Sequence, residues 1–324
     1  MNKSPLIVLL IIILSFINTS AFSNNFEKTD RIVKNYPRSL TNPNQLVKLI
    51  NRDFELPEDK ARAIYTWIAA NIVYDIKALK ARPKIIHYLY CSDEEKIYRE
   101  RKIMEDLAIQ TLRDKKATCQ GYSALYKHIC DLVSLECVII SGYSKTKKSE
   151  IGNMPLKINH AWNAVKIYGM WKLIDVSWGA GYLTEDQTKF IRSFKDIFFS
   201  TTPAIFNLNH YPEDPVWLFS DISKESFTNL PLYYPDFHNN DIEVVKPEKG
   251  IIRVSKEEVI GFTLKYANNK PVMIKFDNEK FAREVYPEIT DQYCNYEIAY
   301  KKNSNTYLTV YINHKPFVTY KILK

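Results

Sequence analysis

Glycine is scarce in this chain, with 8 residues in 324. That scarcity excludes collagen-like, linker-rich and disordered character, and the 46% hydrophobic and 25% charged content suits a folded protein. Phosphate loops and dinucleotide fingerprints are missing, as are CxxC pairs and Cys/His metal spacings, so neither a cofactor nor a metal is expected. Charge of one sign is not concentrated either. The net charge of +8 is mild, Arg99, Arg101 and Lys102 alternate with Glu100 and Glu105, and Lys145, Lys147 and Lys148 form one small cluster. A solvated surface accounts for both groups, so nucleic acid is not an expected partner.

Apolar runs are short everywhere except at the N-terminus. Lys3 precedes an apolar run over residues 6–14, extended by Phe16 and Ile17, and the small residues Thr19, Ser20 and Ala21 follow. This is the layout of a secretory signal peptide over residues 1–21, and it implies a periplasmic or secreted protein. A run of roughly a dozen residues is short of the ~20 a membrane span needs, so an uncleaved anchor is the lesser alternative. Cleavage after Ala21 removes Lys3, leaves a formal charge of +7 and leaves no membrane span.

Five cysteines (Cys91, Cys119, Cys130, Cys137, Cys294) are an odd count, so at least one stays free or pairs with another molecule. Cys130 and Cys137 are close enough in sequence to bridge, although buried small hydrophobes are the plainer reading of both.

After a stretch expected to be mobile to about residue 40, a short helix is expected over 44–52. A clearer one follows over 57–72, with Pro57 in its first turn and Ala61, Ile64, Tyr65, Ile68 and Ile72 as its stripe. Residues 78–92 read as irregular. Ser92 and Glu95 form a capping box for a charged helix to about 114, in one or two pieces. Tyr122, Leu125, Tyr126, Ile129, Leu132 and Val133 recur at helical spacing, predicting a helix over 119–134. From residue 136 the pattern changes to β-branched runs, with strands at 137–143, 158–168 and 171–176.

Helices followed by a mainly antiparallel sheet make an α+β fold, not a repeating βαβ one. Residues 203–238 carry five prolines among aromatics and read as an irregular wrap. Strands at 251–254, 259–265, 272–276, 293–300, 306–312 and 317–322 then suit a β-sandwich of immunoglobulin-like size. The expected domains are a signal peptide over 1–21, a helix-and-sheet domain over 22–235, and the sandwich over 240–324.

Cys119 begins its helix, where unpaired N–H groups and the dipole favour a thiolate, and Gly121 leaves room for a segment to approach the sulfur. A cysteine chosen at random is more often inert, so the case rests on residues downstream. His160 and Trp162 share one strand face, and Asp175 lies on the same face of the next strand. Cysteine, histidine and acid are the set for an activated thiol: the imidazole takes the proton and the carboxylate orients it.

The hairpin register tests this set. A tight turn at Gly169 and Met170 would place Asp175 opposite Ala164, ~13 Å along the strand from His160. A four-residue loop over 166–169 would place Asp175 directly opposite His160, so a longer loop is expected. His87, His128, His210, His238 and His314 show no partner spacing and read as surface or packing residues. His128 is ~13 Å along the helix from Cys119, too far to act as its base.

Three motifs then carry a resemblance: Ala117-Thr-Cys119-Gln-Gly-Tyr-Ser-Ala-Leu, Asn159-His-Ala-Trp-Asn-Ala-Val, and Gly169-Met-Trp-Lys-Leu-Ile-Asp-Val-Ser-Trp178. Together they resemble the transglutaminase-like superfamily, and within it the group similar to kyphoscoliosis peptidase. Thr66 to Asp75, Phe198 to Pro203 and His210 to Trp217 resemble flanking segments of that group, so the likeness covers roughly residues 45–220. Ala117 and Thr118 stand where the family commonly has glycine and an aliphatic residue.

The resemblance implies a papain-like core over 22–235 with Cys119 as nucleophile, His160 as base and Asp175 as orienting acid. For the oxyanion or substrate it suggests the Cys119 backbone N–H, with Gln120, Tyr74 and Trp162 as further candidates.

The leading expectation is an exported thiol enzyme that forms a thioester from an amide and hydrolyses it. Its substrate would be a peptide or protein, cell-surface and envelope proteins included. Cross-linking transfer to an amine, as in a transglutaminase, is the first alternative. A catalytically weak binding or scaffold module is the second, and an adhesin with a reactive thioester the third. Oligomeric state is not legible.

Overall fold

The computed structural model describes residues 26–81, 91–184, 186–235, 237, 242–255, 258–265, 270–301 and 304–324. The expected signal peptide lies outside the described residues, as do His87, His238 and the irregular apolar stretch around Pro83.

Helical stripes build the first half: α1 (Glu27–Val33), α2 (Pro43–Asp53) and α3 (Pro57–Asn71). Prolines start α2 and α3, where the missing N–H costs nothing. From residue 26 on, α1 and the segment after it to Leu40 take the place of the mobile stretch expected there. Seven residues are too few to show a stripe, yet Val33, Tyr36 and Leu40 are buried. Asp30 accepts two hydrogen bonds (2.9 and 2.7 Å) from the buried Arg62 guanidinium of α3, which needs a counter-charge.

The short strand β1 (Val73–Tyr74) leads into α4 (Ile76–Lys80). Ser92 caps α5 (Asp93–Asp114), which is one continuous helix. β2 (Lys116–Ala117) pairs in parallel with β1, and the chain enters α6 (Cys119–Leu132) directly. A Cβ at Gly121 would strike Thr111 of α5 and Ala117, so this glycine serves helix packing and not access to the sulfur.

The core sheet is antiparallel in the order β5, β4, β3, β8: β3 (Cys137–Ser144), β4 (His160–Ile167), β5 (Met170–Ile174) and β8 (His210–Pro212). Between β5 and β8 lie α7 (Val176–Ala180), the pair β6 (Gly181–Leu183) and β7 (Phe190–Arg192), and α8 (Pro203–Phe206). α6 packs on this sheet. The Asn163 side chain of β4 donates to the Ser123 carbonyl of α6 at 3.1 Å and to the Val138 carbonyl of β3 at 3.1 Å, which fixes the helix against the sheet.

α9 (Lys224–Asn229) and β9 (Leu232–Tyr233) lead to a β-sandwich. One sheet holds β10 (Glu243–Lys246), β12 (Val259–Lys265), β16 (Tyr293–Ala299) and β15 (Glu288–Thr290). The other holds β11 (Ile251–Arg253), β18 (Lys315–Leu323), β17 (Thr306–Ile312), β13 (Val272–Phe276) and β14 (Arg283–Val285). Alternation along β12 points Ile260, Phe262 and Leu264 into a core shared with Ile274, Phe276, Tyr296 and Val310. β11 joins β18 in parallel, and the other pairings are antiparallel. Among the described residues no helix is long and apolar enough to cross a membrane.

β9 pairs with β18, so the chain before the sandwich contributes to it. Buried Lys145 holds this seam. Its ammonium donates to the carbonyls of Phe227 (2.7 Å), Thr228 (3.1 Å) and Leu230 (2.8 Å) and lies over the Phe227 ring. Replacing it with an apolar chain would take this donor from all three carbonyls, of which those of Phe227 and Thr228 keep backbone donors in Leu230 and Gly152. A Lys145→Met protein is expected to lose about 2–4 kcal/mol in urea unfolding. Lys127→Ala, which breaks the exposed pair with Asp131 on α6, is expected to change stability by under ~0.5 kcal/mol. Equal losses in the two proteins would refute the buried clamp.

Candidate active site

Cys119 is the first residue of α6, preceded by Thr118 in an extended conformation (φ −84°, ψ 178°). Its backbone N–H is one of the unpaired helix-start donors. The parallel pairing of β1 with β2 sets Tyr74 beside Ala117, and Asp75 N–H donates to the Ala117 carbonyl at 2.8 Å. Two short strands therefore carry Tyr74 to the start of α6. Its hydroxyl comes near Cys119, whose charge and backbone N–H both act on its titration. The Tyr74 ring stacks between Tyr122 (6.3 Å) and Phe190 (6.1 Å).

The β4–β5 turn differs from the expected loop. Ile167 pairs with Met170, leaving Tyr168 and Gly169 as a two-residue turn, both at positive φ (51° and 80°), which suits a tight hairpin. The ladder ends with Asn163 opposite Ile174. Continued by one step it would set Asp175 opposite Trp162, two residues from His160. The shift from the expected register is even, so both side chains keep one face. A diagonal neighbour on that face is within reach of an imidazole. His160 Nε2 and Asp175 Oδ2 lie 2.6 Å apart. The long loop was unnecessary because histidine spans the diagonal.

Asp175 leaves the strand to cap α7. Its Oδ1 accepts from the Trp178 N–H (3.0 Å) and the Ser177 hydroxyl (2.8 Å), while Oδ2 faces His160. Capping α7 and orienting His160 use different oxygens of one carboxylate.

The electrostatics follow from burial set against pairing. Burial raises the Cys119 thiol, but the hydrogen bond and charge of His160 and the Ala161 N–H outweigh it, and its pKa falls below the ordinary value. Burial disfavours the His160 imidazolium. The charge and hydrogen bond of Asp175, with Cys119, overcome that cost and lift its pKa to about 10. The buried Asp175 carboxyl lies well below the usual carboxylate range: burial pushes it up, and the charge and hydrogen bond of His160, helped by His210, push it down further. With Nε2 engaged by Asp175, the other ring nitrogen of His160, Nδ1, serves the sulfur. Burial, with the Cys119 charge, raises Tyr74 far above its ordinary pKa, so its hydroxyl keeps its proton.

His210, expected to be a surface or packing residue, belongs to this cluster. It is fully buried on β8 opposite Ser144, and its Nε2 lies 3.0 Å from Asp175 Oδ2. Burial lowers its pKa below the ordinary value, although Asp175 works in the opposite direction. Periodicity could not find it, because β8 joins the sheet across 66 residues of sequence from Ser144.

Trp162 is 1% exposed and packs against His210 (5.2 Å), His160 (6.0 Å) and Phe206 (6.0 Å). It forms the floor under both histidines and offers no surface to a substrate. Gln120 is exposed one residue beyond Cys119. Trp178, partly exposed, lies 5.7 Å from His160 and 4.6 Å from His210.

His160, Asp175 and His210 are also the one trio among the described residues with side chains grouped closely enough for a metal ion. Both histidines turn Nε2 onto the same carboxylate oxygen at hydrogen-bond distance, so the donor atoms are engaged with one another. The trio is a hydrogen-bonded relay in this geometry.

This arrangement favours the Cys119 thiolate over the thiol. The thiolate forms as pH rises through the lowered thiol value, and its imidazolium partner is lost as pH climbs through about 10. At pH 6, iodoacetamide is expected to modify Cys119 about tenfold or more faster than exposed Cys91, read by peptide mass spectrometry. Faster modification of Cys91 would contradict the ion pair.

The transglutaminase-like superfamily matches residues 44–176 of this chain. Kyphoscoliosis peptidase of Mus musculus is 29% identical over 213 residues, 65% of this chain and 29% of that protein. Cytokinesis protein 3 of Saccharomyces cerevisiae is 26% identical over 196 residues, 57% of this chain and 21% of that protein. The chain spans under a third of the length of the curated relatives it matches. A solved crystal structure of a TGase is 18% identical with a TM-score of 0.31, and the match covers 57% of this chain and 41% of that one. Helices α3 and α6 and the sheet strands from β3 through β5 all fall within the matched segment, and residues 44–176 form a transglutaminase-like domain.

Proposed function

We propose that this chain is an exported thiol enzyme that takes the acyl group of a peptide or protein amide onto Cys119 and passes it to water. The observation that carries this reading is the position of His160, whose Nε2 lies 2.6 Å from Asp175 and whose ring acts on the Cys119 thiol and lowers its pKa. In the proposed reaction the thiolate attacks the amide carbonyl, and His160 gives its Nδ1 proton to the departing amine. A thioester results. His160, now neutral, takes a proton from water, and the attacking hydroxyl releases the acid and the thiol. Asp175 holds the ring orientation through both steps.

The developing oxyanion needs donors fixed in advance. The Cys119 backbone N–H and the Tyr74 hydroxyl are the pair we propose, since both lie at the sulfur and burial keeps Tyr74 protonated. No step asks for a cofactor. The name of the kyphoscoliosis peptidase relative supports hydrolysis. Lys3, the apolar run that follows and the small residues to Ala21 support export.

Incubation with a peptide library and a labelled amine, followed by mass spectrometry, tests the reading. Cleaved peptides without amine incorporation are expected. Cys119→Ala should abolish turnover, and His160→Ala and Asp175→Asn should lower it by about 10²-fold or more. Amine incorporation would replace hydrolysis with cross-linking. Selective alkylation of Cys119 without turnover of any substrate would favour the binding module.

A further inference from the structure

His210 faces two acceptors. Its Nδ1 lies 3.1 Å from the Phe206 carbonyl oxygen, and its Nε2 lies 3.0 Å from Asp175 Oδ2. A carbonyl and a carboxylate can only accept, so each contact needs a proton on the ring nitrogen. A neutral imidazole carries one such proton. Either tautomer would therefore set two lone pairs against each other at about 3 Å in a buried site, a costly arrangement. We propose that His210 is a doubly protonated positioning residue whose charge balances Asp175 and thereby sets the pH range of the Cys119–His160 ion pair. The proposal rests on the reading of Cys119 as nucleophile and names a further member of that site.

Proton counting supports the assignment. Four contacts join the cluster: the Cys119–His160 interaction, and the hydrogen bonds of His160 with Asp175, Asp175 with His210, and His210 with the Phe206 carbonyl. One proton in each makes the charges alternate as thiolate, imidazolium, carboxylate and imidazolium, with a net charge of zero. Removing the His210 proton leaves a net negative charge in a buried cluster. Burial and the like charge of His160 oppose a charge on His210, and they outweigh Asp175 and the Phe206 carbonyl in the pKa of that one ring, which falls below its ordinary value. Burial opposes a net charge on the whole cluster as well, and the neutral four-proton arrangement is the one in which no bond lacks a donor.

Asp175 and His160 are the titratable groups acting on His210. Phe206 lies over its ring at 4.1 Å, with Trp178 and Trp162 beside it, and none of these adds a charge. Without the second cation, the thiolate would lose a stabilising charge and His160 would be tied more tightly to Asp175. Both titrations would then move to higher pH.

The experiment uses the full chain and iodoacetamide, with Cys119→Ala as background. In His210→Gln, which keeps a donor for Asp175 but carries no charge, the acid limb of Cys119 alkylation should move up by about one pH unit. That shift is a roughly tenfold slower reaction at pH 6, recovered at higher pH. The second readout needs no variant: nitrogen NMR of ¹⁵N-histidine-labelled protein should show both His210 nitrogens protonated at neutral pH. An unmoved alkylation profile in folded His210→Gln, or a bare His210 nitrogen in the wild type, would overturn the proposal. Absence of selective Cys119 alkylation in the wild type would instead sink the nucleophile reading, with the NMR signal still deciding the state of His210.

Discussion

The Asp175 carboxylate is the constraint on which the site depends. It is buried and accepts from four groups: His160, His210, the Ser177 hydroxyl and the Trp178 N–H. A buried carboxylate with fewer donors would protonate and stop ordering its neighbours. With four, it stays ionised and acts on three elements together, fixing the ring on β4, the ring on β8 and the first turn of α7. The aromatic packing around both histidines, from Trp162, Trp178 and Phe206, gains its register from this one group.

Cys119, His160 and Asp175 were legible because each sits at an element boundary that leaves a local mark. A helix start, a strand of alternating faces and an acid at a strand end can all be read within ten residues. The hairpin need not set His160 and Asp175 directly opposite each other. Parity alone decides which face a side chain takes, and an imidazole covers the remaining diagonal. The tight turn then follows from Gly169, and Tyr168 accepts a positive φ beside it.

What could not be read was long-range. His210 lies in a three-residue strand whose partner is 66 residues earlier, and nothing in its neighbours marks it as buried among aromatics. α1 was missed for a related reason, since its anchor is Arg62 on a different helix. Gly121 carried a correct signal of close approach, but the approaching group is Thr111 and not a segment at the sulfur. Sequence identifies a small residue as room for something. It does not say which neighbour fills the space.

The seam with the sandwich bears on the site through the residue beside His210. Asn209 donates to the carbonyls of Lys145 (3.1 Å) and Tyr233 (3.0 Å), and its own carbonyl accepts from the Lys145 backbone N–H (2.9 Å). Lys145 follows directly on the end of β3, and Tyr233 belongs to β9, which pairs with β18. β8 is an edge strand with three ladder pairs on one side, so this bridge supplies much of its remaining fixation. Cys119 and His160 are instead held within the core, by α6, β3 and β4. The two histidines that share Asp175 therefore depend on different parts of the molecule: the first on the packing of the transglutaminase-like core, the second on the seam that joins that core to the sandwich.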